Sequence, residues 1–262
     1  MKKFYSKMVL AVVAAVLITG ISAFASETDD RISSSAKDSY VFKTFLKDDA
    51  IKVQSKDDGV VTLTGTVAER SHKQLAEKTV ESLPGVKSVD NQLEIEGEPL
   101  DERSDEWIRV KVNYSLLFHR HVSALKTQVS VTDGIVTLRG EAENKAQKDL
   151  TLEYVKDIDG VEDVKNEMTV ASAPNEPQQT MAEMIDDASI TAQVKLALLW
   201  RRSTSAFQTG VETQNGVVTL SGIVSSAAGK DMATKVVEDV KGVEKVVNNL
   251  TVNSKFDKIN FE

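Results

Sequence analysis

The 262-residue chain contains no cysteine. Disulfide staples, thiol catalysis and lipid attachment at a cleavage-site cysteine are thereby excluded. Histidine is scarce. His72 stands alone, and His119 and His121 lie two apart on a helical stretch, where they point in different directions. With no cysteine and no repeated carboxylate partner, that pair makes no metal site, and no cofactor is expected. Acidic residues are plentiful but fall on solvated faces without a recurring pair for acid–base work. The G-x-x-x-x-x-G spacing is no phosphate loop, because neither a Lys-Ser pair nor a helix start follows it. These absences argue against an enzyme and against a small-molecule substrate. Removing three leader lysines from the formal charge of −8 leaves −11. That acidic balance argues against nucleic acid as the partner.

Long apolar runs are also missing, except at the start. Lys2, Lys3 and Lys7 precede an apolar stretch from Val9 to Ile18, which Ala23-Phe24-Ala25 closes with small residues. That order reads as a secretory signal peptide over 1–25, cleaved before Ser26. The stretch is short of the roughly 20 residues a bilayer span needs. A soluble periplasmic protein is the expectation.

What the chain has in place of a catalytic motif is repetition. Asp58-Gly59-Val60-Val61-Thr62-Leu63-Thr64-Gly65 recurs as Asp133-Gly134 through Gly140 and as Asn215-Gly216 through Gly222. Twenty residues beyond the second glycine stand Gly85, Gly160 and Gly242; six further on stand Asn91, Asn166 and Asn248. A repeat of this kind decides the architecture before any local signal does. The chain divides into copy 1 (29–96), a linker (97–104), copy 2 (105–171), a second linker (172–186), copy 3 (187–253) and a tail (254–262). Pro99, Pro174 and Pro177 fall in the linkers, where flexible spacing is expected, more so between copies 2 and 3.

Each copy opens with a helix behind a capping aspartate: Asp187 before Ile190, Val194, Ala197 and Leu198; Asp105 before Ile108, Val112 and Leu116. Copy 1 is weaker, with Asp29, Ile32, Ala36 and Tyr40 among serines and a one-residue shift absorbed at Asp57-Asp58. Two strands follow, joined at the Asp-Gly or Asn-Gly pair by a tight hairpin. Gly65, Gly140 and Gly222 mark a bulge or the close approach of another backbone. A second amphipathic helix comes next, and Gly85, Gly160 and Gly242 sit where its left-handed C-cap belongs. In the last strand Val89, Leu93 and Ile95 alternate with polar residues, and the asparagine falls on the core-facing side, where it can bond a turn backbone. The fold class is α+β: three small αββαβ units, each a three-stranded mixed sheet with two helices on one face, the last two strands parallel.

The G-V-V-T-L-x-G hairpin, the helix after it and G-V-x-x-V-x-N-x-L resemble the BON domain, three times over. The resemblance covers nearly all of the chain after residue 28. It implies the αββαβ fold, a place in the bacterial envelope and a role in binding phospholipid or supporting the envelope under osmotic or other stress, with no enzyme activity typical of the family. The motif glycines and asparagines read as structural.

The candidate binding residues lie where each first helix ends in an aromatic followed by basic residues: Phe42-Lys43, Phe118-His119-Arg120 and Trp200-Arg201-Arg202. Leu196, Leu199 and Trp200 form a second apolar stripe on the third copy's helix, and Tyr114, Leu117 and Phe118 repeat it in the second. One sheet covers only one face of such a helix, so this stripe needs another partner. Either a neighbouring copy or the second helix supplies it, or a membrane does, with aromatics at the interface and arginines on phosphates. The partners expected are therefore a phospholipid surface or, in the alternative, periplasmic proteins held as a chaperone or scaffold holds them.

Overall fold

The computed structural model describes residues 27–56, 59–96, 101, 104–122, 124–171, 185–204 and 208–253. The expected signal peptide and cleavage site, most of both linkers, Asp57-Asp58 and the tail lie outside these residues. Copy 1 comprises α1 (27–38), α2 (Tyr40–Thr44), β1 (Ala50–Lys56), β2 (Val60–Val67), α3 (Arg70–Glu81) and β3 (Ser88–Ile95). Copy 2 comprises α4 (Asp105–Phe118), β4 (Thr127–Thr132), β5 (Ile135–Ala142), α5 (Lys145–Lys156), β6 (Asp163–Asn166) and β7 (Thr169–Val170). Copy 3 comprises α6 (Asp187–Leu199), β8 (Gln208–Gln214), β9 (Val217–Val224), α7 (Ala227–Glu238), β10 (Lys245–Asn248) and β11 (Thr251–Val252).

In each copy the hairpin strands pair antiparallel and the last strand joins the middle one in parallel, as the αββαβ order requires. Asp133 and Asn215 take φ of 49° at the hairpins. Asp and Asn tolerate that region better than other side chains, which sets the turn and hence the register. Gly140 pairs with Thr127 at φ 119°, and a Cβ there would collide with the carbonyl oxygen of Lys126. The close approach expected at this glycine is therefore what it provides.

Three local expectations need correction. Asp105 and Asp187 are not the helix caps. Ser104 and Asp186 cap α4 and α6, accepting from Trp107 N and Ser189 N. Asp105 and Asp187, one residue inside, reach across to the hairpin and accept from the amides of Asp133-Gly134 and Asn215-Gly216 at 2.7–2.9 Å. Asp29 does the same for Gly59 at 3.1 Å. These carboxylates tie the first helix to the hairpin because the turn leaves its amides pointing outward, without strand partners.

The second-helix glycines are not C-caps either. Ser82, Asp157 and Asp239 end α3, α5 and α7 in right-handed conformation, and the glycines come three residues later. There Gly85 (φ 90°) is third in a turn closed by Val86 N on Leu83 O.

The asparagines bond a helix rather than a turn. Nδ2 of Asn91, Asn166 and Asn248 donates to the carbonyls of Lys73, Lys148 and Lys230 at 2.8–3.1 Å, while Oδ1 accepts from the amide two residues on. The same lysines return the link: Nζ donates to the carbonyls of Leu93, Met168 and Leu250. The second helix is thus laced to the last strand at the same place in every copy.

Copies 2 and 3 each have their own core. Ile108, Val112 and Leu116 of α4 pack with Leu138, Val155 and Ile158; Ile190, Val194 and Leu198 of α6 pack with Leu220, Val237 and Val240. Copy 1 differs. Its core residues Val41, Phe42, Leu63 and Leu75 form one cluster with Phe118 of α4 and with Ala188, Ala192, Leu196 and Trp200 of α6. Residues spaced by four along α6 face copy 1 while its other stripe faces copy 3, so the helix is buried nearly all round.

Candidate functional site

The first-helix ends of copies 2 and 3 meet around a local two-fold relation. Lys241 N donates to Phe118 O, and Asp159 N donates to Trp200 O, both at 2.9 Å. Arg120 N and Arg202 N donate in turn to Asp239 O and Asp157 O at 3.0 and 2.8 Å. The guanidinium groups complete the seam, Arg120 Nη2 on the carbonyls of Val240 and Val243 and Arg202 Nη2 on that of Val161. Each second-helix end thus has its terminal carbonyls satisfied by the other copy's arginine.

The symmetry breaks between Phe118 and Arg120, where His119 stands opposite Arg201. His119 lies flat on Tyr154, with ring centroids 3.9 Å apart, and its Nε2 is 2.6 Å from Arg201 Nη2. The guanidinium sits over the same tyrosine and 3.6 Å from Asp157. Tyr154 OH donates to Asp239. Burial, reinforced by the Arg201 charge, holds His119 neutral and pushes its pKa down to about 3. Its Nε2 therefore accepts from arginine.

Above this seam the aromatics gather. Phe118 and Trp200 stack at 6.3 Å and 15°; Tyr114 tilts against both; Trp107 meets Trp200 edge-on. Copy 1 closes the ridge from the other side. Phe45 of copy 1 meets Phe118 and Tyr114 edge-on, and His72 bridges Asp49 to the Tyr114 hydroxyl. Burial first, and then Glu69, raises the Tyr114 pKa. Tyr40 N donates to Asp186 Oδ2 at 2.7 Å and Val41 N to Ser189 Oγ at 3.1 Å, while Lys195 lies 3.9 Å from Glu81.

The candidate binding residues separate accordingly. Phe118, Leu196, Trp200 and Arg201 are buried between copies, Tyr114 and Leu117 are half-buried, and Arg120 and Arg202 are exposed with their guanidinium groups engaged. Leu199 alone keeps its apolar side chain open, at 47%. The partner of the second stripe in this structure is a neighbouring copy. The flexible spacing expected between copies 2 and 3 is overturned by the seam, whose main-chain bonds fix one copy against the other.

Copy 1 differs at two positions that make the seam, with Thr44 where Arg120 and Arg202 stand and a proline at the donor position. Pro84 occupies the position of Asp159 and Lys241, whose amides hold the opposite helix end. Proline has no amide to donate. Aligning the three copies displays that substitution. Nothing in one copy's sequence, however, shows that its neighbour's helix end needs the donor.

A family model for the BON domain matches residues 28–97, 104–172 and 186–254. The chain belongs to the BON domain family. It is similar to Osmotically-inducible protein Y of Escherichia coli, with 31% identity over 72% of this chain and 92% of that protein. It is also similar to the outer membrane lipoprotein DolP of Haemophilus influenzae, with 32% identity over 44% of this chain and 56% of that one. The C-terminal domain of CdsD, a structural protein of the type III secretion system of Chlamydia trachomatis, aligns with 81% of this chain and 95% of its own. At 16% identity and a TM-score of 0.23 that likeness carries no argument.

Proposed function

We propose that this is a non-enzymatic periplasmic protein that attaches to phospholipid surfaces during osmotic or other envelope stress, through the first-helix ends of copies 2 and 3. The observation that carries the reading is the aromatic ridge. Tyr114, Phe118 and Trp200 of two copies come together beside Arg120 and Arg202, with Leu199 open at the margin. Aromatics with leucine and flanking arginines are the composition that seats a protein at a lipid interface. Similarity to an osmotically inducible protein and to an outer-membrane lipoprotein supports the setting.

The test is sedimentation with phosphatidylglycerol and phosphatidylcholine vesicles at low and high salt. Binding to the anionic vesicles that salt weakens and Leu199→Asp reduces is expected. Absence of binding at low salt removes the lipid reading.

A cleft of 820 Å³ favours a second reading, capture of an extended client chain. It lies between the end of α3 (Glu81, Ser82, Pro84), one side of α6 and the edge strand β8. Among the described residues β8 pairs with β9 alone, and an unpaired strand edge accepts extended peptides. Binding of reduced, carboxymethylated lactalbumin that persists at high salt is what this reading expects.

A further inference from the structure

We propose that copy 1 is a displaceable cover over the aromatic ridge, so that the compact form is the closed state and lifting copy 1 uncovers the ridge. The inference rests on the lipid reading for what then binds, but not for the movement itself.

The two seams of the molecule are built differently. Copies 2 and 3 hold each other by reciprocal main-chain bonds from Arg120, Arg202, Asp159 and Lys241. Among the described residues no main-chain to main-chain bond joins copy 1 to either of them. Side chains attach it: Asp186 and Ser189 receive the first amides of α2, and Glu81 faces Lys195. Part of the cover is a short helix set off from α1 by one residue. Ser39 breaks the first helix of copy 1, leaving α2 as five residues whose Val41 and Phe42 press on the ridge. Ala188, Ala192 and Leu196 of α6 share one buried cluster with Val41 and Phe42 of α2 and with Leu75 and Val80 of α3.

Lifting copy 1 leaves the reciprocal main-chain bonds between copies 2 and 3 untouched. The pair of copies 2 and 3 then persists as a unit with its ridge bare. Burial of the ridge keeps the closed form dominant, and a surface that takes up the same aromatics shifts the balance toward the open one. Pro84 fits this division, because copy 1 carries no amide where Asp159 and Lys241 donate.

The absence of native cysteine permits a clean test. In full-length protein, Glu81→Cys with Lys195→Cys, bridged by a short bis-thiosulfonate crosslinker that spans the length of the two native side chains, locks copy 1 to α6, and reduction unlocks it. Lys195→Glu sets two carboxylates face to face and loosens the seam at the surface, leaving every core intact. Acrylamide quenching of Trp200, in a Trp107→Phe background, reads the cover without lipid. Phosphatidylglycerol vesicle binding reads the consequence.

Quenching should rise from locked to parent to loosened protein. Vesicle binding should follow, with at least about a fivefold span. Equal shielding of Trp200 in locked and loosened protein overturns the cover, whatever the vesicles do. Equal vesicle binding by both overturns the ridge as the surface that copy 1 hides. A difference in quenching with no vesicle binding in any form keeps the cover and removes the lipid reading.

Discussion

Copy 1 and copies 2 and 3 share one fold and the same lacing of helix to strand, yet they are held in the molecule by different means. In copies 2 and 3 the helix ends exchange main-chain bonds. Copy 1, with Pro84 where those copies have Asp159 and Lys241, adds its core to their spare stripe instead. Equal folds do not make equal neighbours. The pair keeps its helix-end carbonyls satisfied through the Asp159 and Lys241 amides and the two arginines. A buried carbonyl left without its partner costs more than one satisfied bond returns.

The strongest way to break the comparison is Trp200→Ala. This side chain is 4% exposed and serves both sides, stacking on Phe118 in the copy 2–3 pair and packing into the copy 1 core. A loss of about 3–5 kcal/mol in denaturant unfolding is expected. A loss below about 1 kcal/mol would mean that the ridge is not packed as described.

Acid should act on the copy 2–3 seam through His119. Its folded pKa lies below the unfolded value of 6.5, so the unfolded chain takes up the proton first. Stability conferred by neutral His119 is complete above 6.5 and falls as pH drops toward about 3, with a slope of up to about 1.4 kcal/mol per unit. Comparing parent and His119→Gln between pH 7 and 5, above the carboxylate range, isolates this. The parent should lose stability more steeply, and parallel profiles would refute the assignment.

Lys241→Pro sharpens the contrast. Pro84 shows that the turn accepts proline, and Lys241→Ala, measured beside it, subtracts the loss of the side chain from that of the bond to Phe118 O. We expect a cost of about 1–3 kcal/mol. The mirror change Pro84→Lys should move stability by less than about 0.5 kcal/mol, since no helix end waits there. If both changes cost the same, the amide bond to Phe118 O is not what holds the pair.

The smallest expected effects test what the copies share. Asn91→Ala, Asn166→Ala and Asn248→Ala should each cost about 1–2 kcal/mol for the bonds to helix and strand that all three make. A little more is expected at Asn91 and Asn248, whose Nδ2 also donates to Glu77 and Thr234. Wide scatter among the three in thermal melts would show that the lacing is not equivalent.

Much of this was legible in the residues. Hairpin glycines at fixed spacing, an Asp-Gly or Asn-Gly turn and alternating valines state the strand order and parallel closure before any packing is known. Asp105 and Asp187 were visible as special, but their bonding to a turn some 28 residues away depends on how the helix lies across the hairpin. The ridge was half legible: Trp200, Leu196, Tyr114 and Phe118 stand out as a stripe without a sheet to cover it. That three copies would combine their stripes into one buried cluster was not. Periodicity reports that a face is apolar and says nothing of what lies against it.

The sequence by itself determined the three αββαβ units, their hairpin registers and the existence of a second apolar face. These follow from local backbone preferences and a period that each segment carries within itself. Only the tertiary structure decided that copies 2 and 3 join through exchanged main-chain bonds, that His119 is kept neutral beside Arg201, and that copy 1 roofs the aromatic ridge. Those outcomes depend on desolvation and on donors meeting acceptors between segments distant in sequence. A buried bond is decided where two surfaces meet, and neither surface encodes it alone.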